Sequence, residues 1–303
     1  MKILRPIIAV AALSALTNSA FAAQFTTDVY GKVNVTVQNS DGETELKSNS
    51  SRFGLKGSEK LKGGLEVFYK YEIQVDVADE STTENLKSRN QYIGLKGSFG
   101  EVILGRNDTV LKQSQGKFDL FSDLTADIKN VGWKGENRIN DSVTYKTPKV
   151  NGFQFGASYY IDEENDDSAT SLSVTYGDSA LKKGKYYAAV AMDNELNGYN
   201  VTRLTGGTKV GSVKLGAMFQ TQESVDTGIE KDGFMVSAEY LMGAYNLKGQ
   251  YQTLEDDSGF TVGADRKLGK NTKAFAFYTT FGSDDDASGS NKNYLGLGLE
   301  QKF

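Results

Sequence analysis

Residues 65–76, LEVFYKYEIQVD, place Leu65, Val67, Tyr69, Tyr71, Ile73 and Val75 on one parity and Glu66, Phe68, Lys70, Glu72, Gln74 and Asp76 on the other. Successive side chains of a strand point to opposite faces, so this segment has one apolar wall and one wall carrying charges of both signs. The same alternation returns in DVYGKVNVTVQ, FQFGASYYI, VKLGAMFQT, FMVSAEYLM, YNLKGQYQT, KAFAFYTTF and NYLGLGLEQKF. A chain built this way has too few continuously apolar strands to make a dry interior between two sheets. Its apolar faces must meet something other than a protein core.

Composition supports strands and removes several chemistries. Tyr and Phe stand at 16 each, Gly at 33 and Pro at only 2 in 303 residues, a mixture suited to pleated walls and uninterrupted hydrogen-bond ladders. Cysteine and histidine are both absent, which excludes disulfides, thiolate nucleophiles, imidazole-ligated zinc and a His-based triad. The formal charge of −5 gives no reason to expect a nucleic-acid partner.

Residues 1–22, MKILRPIIAVAALSALTNSAFA, carry Lys2 and Arg5, an apolar run from Ile7 to Leu16 and the small-residue signal Ala20-Phe21-Ala22. They read as a secretory signal peptide, because the apolar run is far short of the about 20 residues of a membrane helix. Residues 23–303 are then expected to form one domain. No later segment could span a bilayer as a helix, but a barrel strand needs only about 9–11 residues with alternate positions facing lipid.

The connections carry the topology. Short ones at 98–100, 210–212, 242–244 and 268–270 interleave with long polar ones such as NSDGETELKSN, DVADESTTENLK, IDEENDDSA, ESVDTGIEKD and GSDDDASGSNK. Short turns on one rim and long loops on the other describe an outer-membrane barrel, all-β and antiparallel, and we count sixteen strands. Gly206-Gly207 interrupts one strand pattern and predicts a bulge there. The connection of about 107–136 is too long for a hairpin and holds Leu111, Phe118, Leu120, Phe121, Leu124, Ile128 and Trp133, which must be buried somewhere. In a wide barrel that place is the lumen.

With VYGKVNV near the mature start, SSRFGLKGSEKLKGGLEVFYKYE, SRNQYIGLKGSFGEVILGRND, the long third external loop and the terminal Phe303, the chain resembles the general diffusion porins of Gram-negative bacteria over its whole mature length. The resemblance implies a 16-stranded transmembrane barrel, usually a homotrimer, in the outer membrane among lipid and lipopolysaccharide. It implies passive passage of ions and small hydrophilic solutes with no cofactor, and a third loop folded into the lumen so that loop acids face a basic wall. Carried onto this chain, the wall is Lys32, Arg52, Arg89 and Arg138. Alternation against Val33, Phe53 and Val143 turns Lys32, Arg52 and Arg138 inward independently. Arg89 is ambiguous: Ile93 and Leu95 send it to lipid, Gln91 and Tyr92 inward, and a cost of roughly 2–4 kcal/mol for arginine at mid-bilayer favours inward.

The loop has GKFDLFSDLTAD rather than the family's usual tip, so its acids Asp119, Asp123 and Asp127 match by position only; their spacing of four would equally make one solvated face of a short helix. Asp108 lies nearer the loop base. Arg106 is in phase with Val102 and Leu104 and points outward, toward headgroups or, by the resemblance, toward a subunit interface where Glu80 or Glu84 of the second loop would meet it. The final strand, with Leu295, Leu297, Leu299 and Phe303 in phase, resembles the terminal signal read by the barrel assembly machinery, except that Gln301 stands where an aromatic is usual.

DDDASG at 284–289 begins like a calcium loop but has Leu295 where the twelfth position needs Glu, so no metal site is expected. Two other classes remain to be tested. A secreted all-β carbohydrate-binding or adhesive protein should bury several continuous apolar strands, and a barrel hydrolase would need acid pairs such as Glu163 and Glu164 placed for chemistry.

Overall fold

The structure, a computed structural model, describes residues 25–40, 42–78, 84–161, 169–282 and 292–303. Seventeen strand segments follow one another in chain order: β1 (Phe25–Ser40), β2 (Glu43–Ser48), β3 (Arg52–Lys60), β4 (Glu66–Val75), β5 (Leu86–Gly97), β6 (Gly100–Asp108), β7 (Arg138–Lys146), β8 (Phe153–Tyr160), β9 (Thr170–Gly177), β10 (Tyr186–Leu196), β11 (Tyr199–Val210), β12 (Val213–Ser224), β13 (Glu230–Met242), β14 (Tyr245–Leu254), β15 (Asp257–Lys267), β16 (Thr272–Gly282) and β17 (Lys292–Lys302). Each wall strand pairs antiparallel with its neighbours, and β17 returns to β1, which closes the sheet.

β2 and β3 are two halves of one wall strand. β2 pairs with Val35–Ser40 of β1 and β3 with Phe25–Lys32 of the same strand. The break falls at 49–51, where Ser50 takes φ 51° and the Ser51 hydroxyl accepts from the Asn34 N–H at 2.9 Å. The barrel therefore has the sixteen staves expected.

Its polarity is inverted relative to a globular domain. Val33 is 42% exposed while its neighbour Asn34 is 4% exposed, and Gln220, Thr36 and Thr279 are fully buried while Leu297 is 62% exposed. A secreted sandwich would do the reverse. The apolar band on the outside is what a bilayer requires of a barrel wall, whose backbone groups are all paired within the sheet. Among the described residues no helix is long and apolar enough to cross a membrane.

The turns 98–99, 211–212, 243–244 and 268–271 all lie on one rim, as the sequence predicts. Two polar stretches expected as long loops are largely or half strand instead: NSDGETELKSN supplies the end of β1 and all of β2, and ESVDTGIEKD gives half its length to β12 and β13. The predicted bulge at Gly206-Gly207 is absent, since β11 and β12 run in continuous register there. Those strands use glycine for space: a Cβ at Gly207 or Gly216 would strike the ring of Phe118.

Phe118 belongs to the long connection, which runs along the inside. Ile128, Val131 and Trp133 join it against Met218, Met235 and Leu254 of the wall, Phe121 and Leu124 pack with Phe275 and Phe277, and Leu111 packs with Ala191 and Val201. Of the apolar loop residues expected to be buried, only Leu120 is half-buried. Each large side chain removed from water contributes about 1.5–3 kcal/mol, so these three clusters hold the segment to the wall although it has little regular structure of its own. Its only helical pieces are α1 (Val110–Ser114) and a 3-10 turn, Ile128–Val131. The connection from β9 to β10 folds in to meet it: Leu181 is buried in the Phe118 cluster, and the Lys117 N–H donates to the Ser179 carbonyl at 3.1 Å.

Candidate functional site: a charged layer inside the barrel

Alternation turns Lys32 and Arg52 inward, and β1–β3 register sets them side by side as direct partners. Two cations so placed repel unless an anion joins them. Asp123 of the loop supplies it: its Oδ2 lies 2.9 Å from Lys32 Nζ and is also bound by Arg52 Nη2. Glu300 of β17 stands 3.7 Å from Lys32 on the other side. Burial alone would raise the Asp123 carboxyl, but the Lys32 and Arg52 cations outweigh it and hold the group well below the usual carboxylate range.

Arg89 also faces inward, and the reason resolves the parity conflict. The β4–β5 register slips between Tyr71/Gln91 and Ile73/Ser88, so Arg89 and Asn90 together oppose Glu72. This bulge carries Arg89 to the lumen face although Ile93 points to lipid. Its Nε donates to Glu72 Oε1 at 2.8 Å and its Nη1 to Gln74 Oε1 at 2.9 Å. Glu72 also accepts from the Tyr30 hydroxyl at 2.8 Å and lies 3.3 Å from Lys70 Nζ.

Arg138 is placed by its partners rather than by parity with Val143, because the β6–β7 register slips between Gly105/Ser142 and Asn107/Ile139. It lies 2.9 Å from Asp108 Oδ1 and donates to Asn90 Oδ1 at 2.6 Å. Thus each of the four wall cations contacts an acid. At Asp123 the loop acid does not merely face the basic wall but is ion-paired with it.

Nor do the three loop acids share a helical face, since 117–127 is a run of turns with Asp123 at φ 72°. Asp127 caps the 3-10 turn, accepting from the Lys129 N–H at 3.1 Å and from the Asp123 N–H at 2.9 Å. Asp119 is buried and accepts from Phe121 N–H, Gln250 Nε2 and Ile128 N–H at 3.1, 3.1 and 3.4 Å. Its burial, with the Asp127 charge nearby, pushes it up to about 8. Asp119 and Asp127 hold the loop's shape, and Asp123 alone of the three meets the wall cations.

Arg106 points away from this layer and donates to Asn140 Oδ1 at 2.7 Å. Glu84 is exposed, and Glu80, Glu163, Glu164 and the 284–289 stretch lie outside the described residues. Among the described residues no cluster of acids could hold a metal ion.

One buried cation escaped the sequence reading. Arg203 of β11 is fully enclosed, 2.7 Å from Glu136 Oε1 and donating to the Lys134 carbonyl at 3.0 Å and Gln220 Oε1 at 2.8 Å, with the Trp133 ring 5.7 Å away. Alternation against the outward Leu204 is the signal that places it inside. Its role as a loop anchor depends on contacts across 67 residues of chain.

Two cavities flank the charged layer. The one toward the long-loop rim, about 700 Å³, is lined by Ser50, Gln74, Asp123, Lys129 and Lys292 among others. The one toward the short-turn rim, about 470 Å³, is lined by Tyr30, Lys56, Phe68, Lys70 and Tyr92 among others. Along β4, Gln74 borders the first and Lys70 the second, with Glu72 between.

A closed barrel, apolar outside and charged inside, with an inward loop and cavities toward both rims, is a membrane channel of the outer-membrane type. The chain belongs to the Gram-negative porin family, whose profile matches residues 9–286. It is 28% identical over 272 residues to the "Monosaccharide porin" of a Halomonas species, spanning 78% of this chain and 73% of that protein. To "Outer membrane porin protein 32" of Delftia acidovorans it is 27% identical over 98% of this chain and 93% of the relative. Among solved structures, the "Anion-selective porin from Comamonas acidovorans" superposes with a TM-score of 0.78 at 23% identity, covering 92% of this chain and all of that one. Salmonella typhi OmpF, in complex with daunomycin, superposes at 0.72 with 15% identity, covering 91% and 97%. The protein is an outer-membrane porin, a channel for passive diffusion of small hydrophilic solutes, and not an enzyme.

Proposed function

We propose that passage is limited at the layer where Lys32, Arg52, Arg89 and Arg138 meet Asp123, Glu72 and Asp108, with loop 107–136 as the narrowing element. The observation that carries this reading is the Asp123 contact with Lys32 and Arg52, which brings the loop against the wall between the two cavities. Within the layer the charges are paired. The cavities on either side are lined by more cations than acids, Lys47, Lys129 and Lys292 against Asp123 and Asp257 on one side and Lys56 and Lys70 against Asp28 on the other, so mobile anions are favoured over cations. A weak anion preference is the resulting selectivity, with neutral sugars of small size admitted.

The working unit is a homotrimer, supported by family membership and by neighbours such as Vibrio cholerae OmpT, one of whose structures is described as a trimer form. In it Arg106, facing outward from β6, meets acids of the neighbour's second loop, Glu80 or Glu84, and the remaining outer surface meets lipid and lipopolysaccharide. Residues 1–22 direct export, and the β17 end is read during assembly.

Planar-bilayer recordings across a salt gradient test the channel reading. A reversal potential displaced toward the anion potential is expected, and removal of part of 112–127 should raise single-channel conductance with trimers intact. A cation-directed reversal potential would overturn the anion preference. Unchanged conductance after the deletion would place the loop outside the limiting path.

A further inference from the structure

Lys56 of β3 and Lys70 of β4 are direct register partners, and both turn inward into the cavity on the short-turn side. Like charges directly opposite on adjacent strands destabilise a sheet. Lys70 has Glu72 at 3.3 Å, but that carboxylate is shared with Arg89 and the Tyr30 hydroxyl. Lys56 makes no ion pair among the described residues. Asp28 is its register partner on β1, yet the Lys56 ammonium passes it by and lies 5.3 Å from the centre of the Tyr30 ring, one inward position further up the wall. The Lys70 ammonium lies 5.8 Å from the same ring.

Two ammonium groups therefore converge over one tyrosine at the edge of a cavity of about 470 Å³ open to solvent. The lining next to Lys70 is aromatic: Tyr92 is its register partner on β5, Phe68 lies two residues back on β4, and the two rings meet edge to face at 6.2 Å. Ring edges carry the positive part of the aromatic quadrupole, so they too favour a negative group or the face of a flat one. Tyr30 and its lysines lead directly to Glu72 and Arg89 of the charged layer.

We propose that this cavity is a binding site for small organic carboxylates carried on a flat apolar frame. The carboxylate bridges Lys56 and Lys70 above the Tyr30 ring, relieving their repulsion, and the frame lies against Phe68 and Tyr92. Nothing in the diffusion-channel reading requires such a site. The inference does rest on the pore running past the β1–β4 wall, so conductance without any added solute is measured first and tests that separately.

The probe is benzoate added on the short-turn side of single channels in a planar bilayer, with acetate and benzamide as comparators. Benzoate is expected to reduce chloride current saturably, acetate to do so at higher concentration, and benzamide, which keeps the ring but not the charge, to have no saturable effect. Lys56→Gln should raise the half-blocking concentration of benzoate by roughly fivefold, the factor for losing one exposed ion pair, and Lys56→Arg should largely retain it. Since Lys56 is exposed and removing it relieves a like-charge pair, the variant should fold, which heat-modifiable migration on a gel verifies. Equal half-blocking concentrations in Lys56→Gln and the parent, block by benzamide equal to that by benzoate, or no saturable block at all in a conducting parent channel would each overturn the proposal.

Discussion

Asp123 on the inward loop and Lys32 on the first strand are 91 residues apart in the chain and 2.9 Å apart in space. With Arg52 on the same carboxylate, that contact joins the loop tip to the wall. If passage is limited at this layer, as proposed, it is the point at which one side chain changes both the width and the charge of the path.

Replacing Asp123 with Asn should loosen the loop, remove the acid paired with Arg52 and leave Lys32 only the more distant Glu300. Single-channel conductance is expected to rise and the reversal potential to move further toward anions. The parent's pH response follows from the depressed carboxyl. A group whose folded pKa is lowered contributes stability above its unfolded value of about 3.9 and loses it as pH falls through the folded one. The contact should therefore persist through mild acid, and conductance should show loop release only below the ordinary carboxylate range.

Asp119 has the opposite sign. Its folded pKa, pushed up to about 8, lies above the unfolded value of about 3.9, so its contribution is fully present below pH 3.9 and declines as pH rises toward 8. Melting of the folded barrel, followed by heat-modifiable migration at pH 5 and pH 8.5, should show lower stability at the higher pH. Asp119→Asn should flatten that difference, and an unaltered pH dependence would assign it to another group.

Arg203 is fully buried and its partner Glu136 half-buried, so removing the arginine strands a partly enclosed acid, at a cost up to the about 3–5 kcal/mol of breaking a fully buried pair. Arg203→Met should therefore lower the thermal midpoint and increase open-channel noise as the 134–136 segment detaches. The double replacement Arg203→Met with Glu136→Gln should recover most of the midpoint. Equal losses in single and double variants would show that the pair is not coupled.

Phe303 closes the barrel through backbone bonds to Gly31, its N–H donating to the Gly31 carbonyl at 3.1 Å and its carbonyl accepting from the Gly31 N–H at 3.0 Å. A Cβ at Gly31 would strike the Phe303 ring. Deleting Phe303 is expected to reduce folded protein in the outer membrane and leave unfolded chain in the periplasm. Normal amounts of heat-modifiable trimer after the deletion would separate the terminal residue from assembly.

The sequence by itself determined the inside-out wall, because alternation is a property of each strand alone: Val33 with Asn34, or Leu297 with Gly298, sort to opposite faces without knowledge of any partner. It also determined the inward direction of Lys32 and Arg52, and that an apolar loop segment must be buried. Only the tertiary structure decided where alternation fails. The slips opposite Glu72 and beside Gly105 are set by pairing between strands, and they are what bring Arg89 to Glu72 and Asn90 to Arg138. Which loop acid meets the wall was likewise undecidable locally, since Asp119, Asp123 and Asp127 are chemically alike and equally spaced. The packing of Phe118, Phe121 and Trp133 into slots on distant strands fixes the path of the loop, and that path buries Asp119, turns Asp127 back on the loop and delivers Asp123 to Lys32 and Arg52.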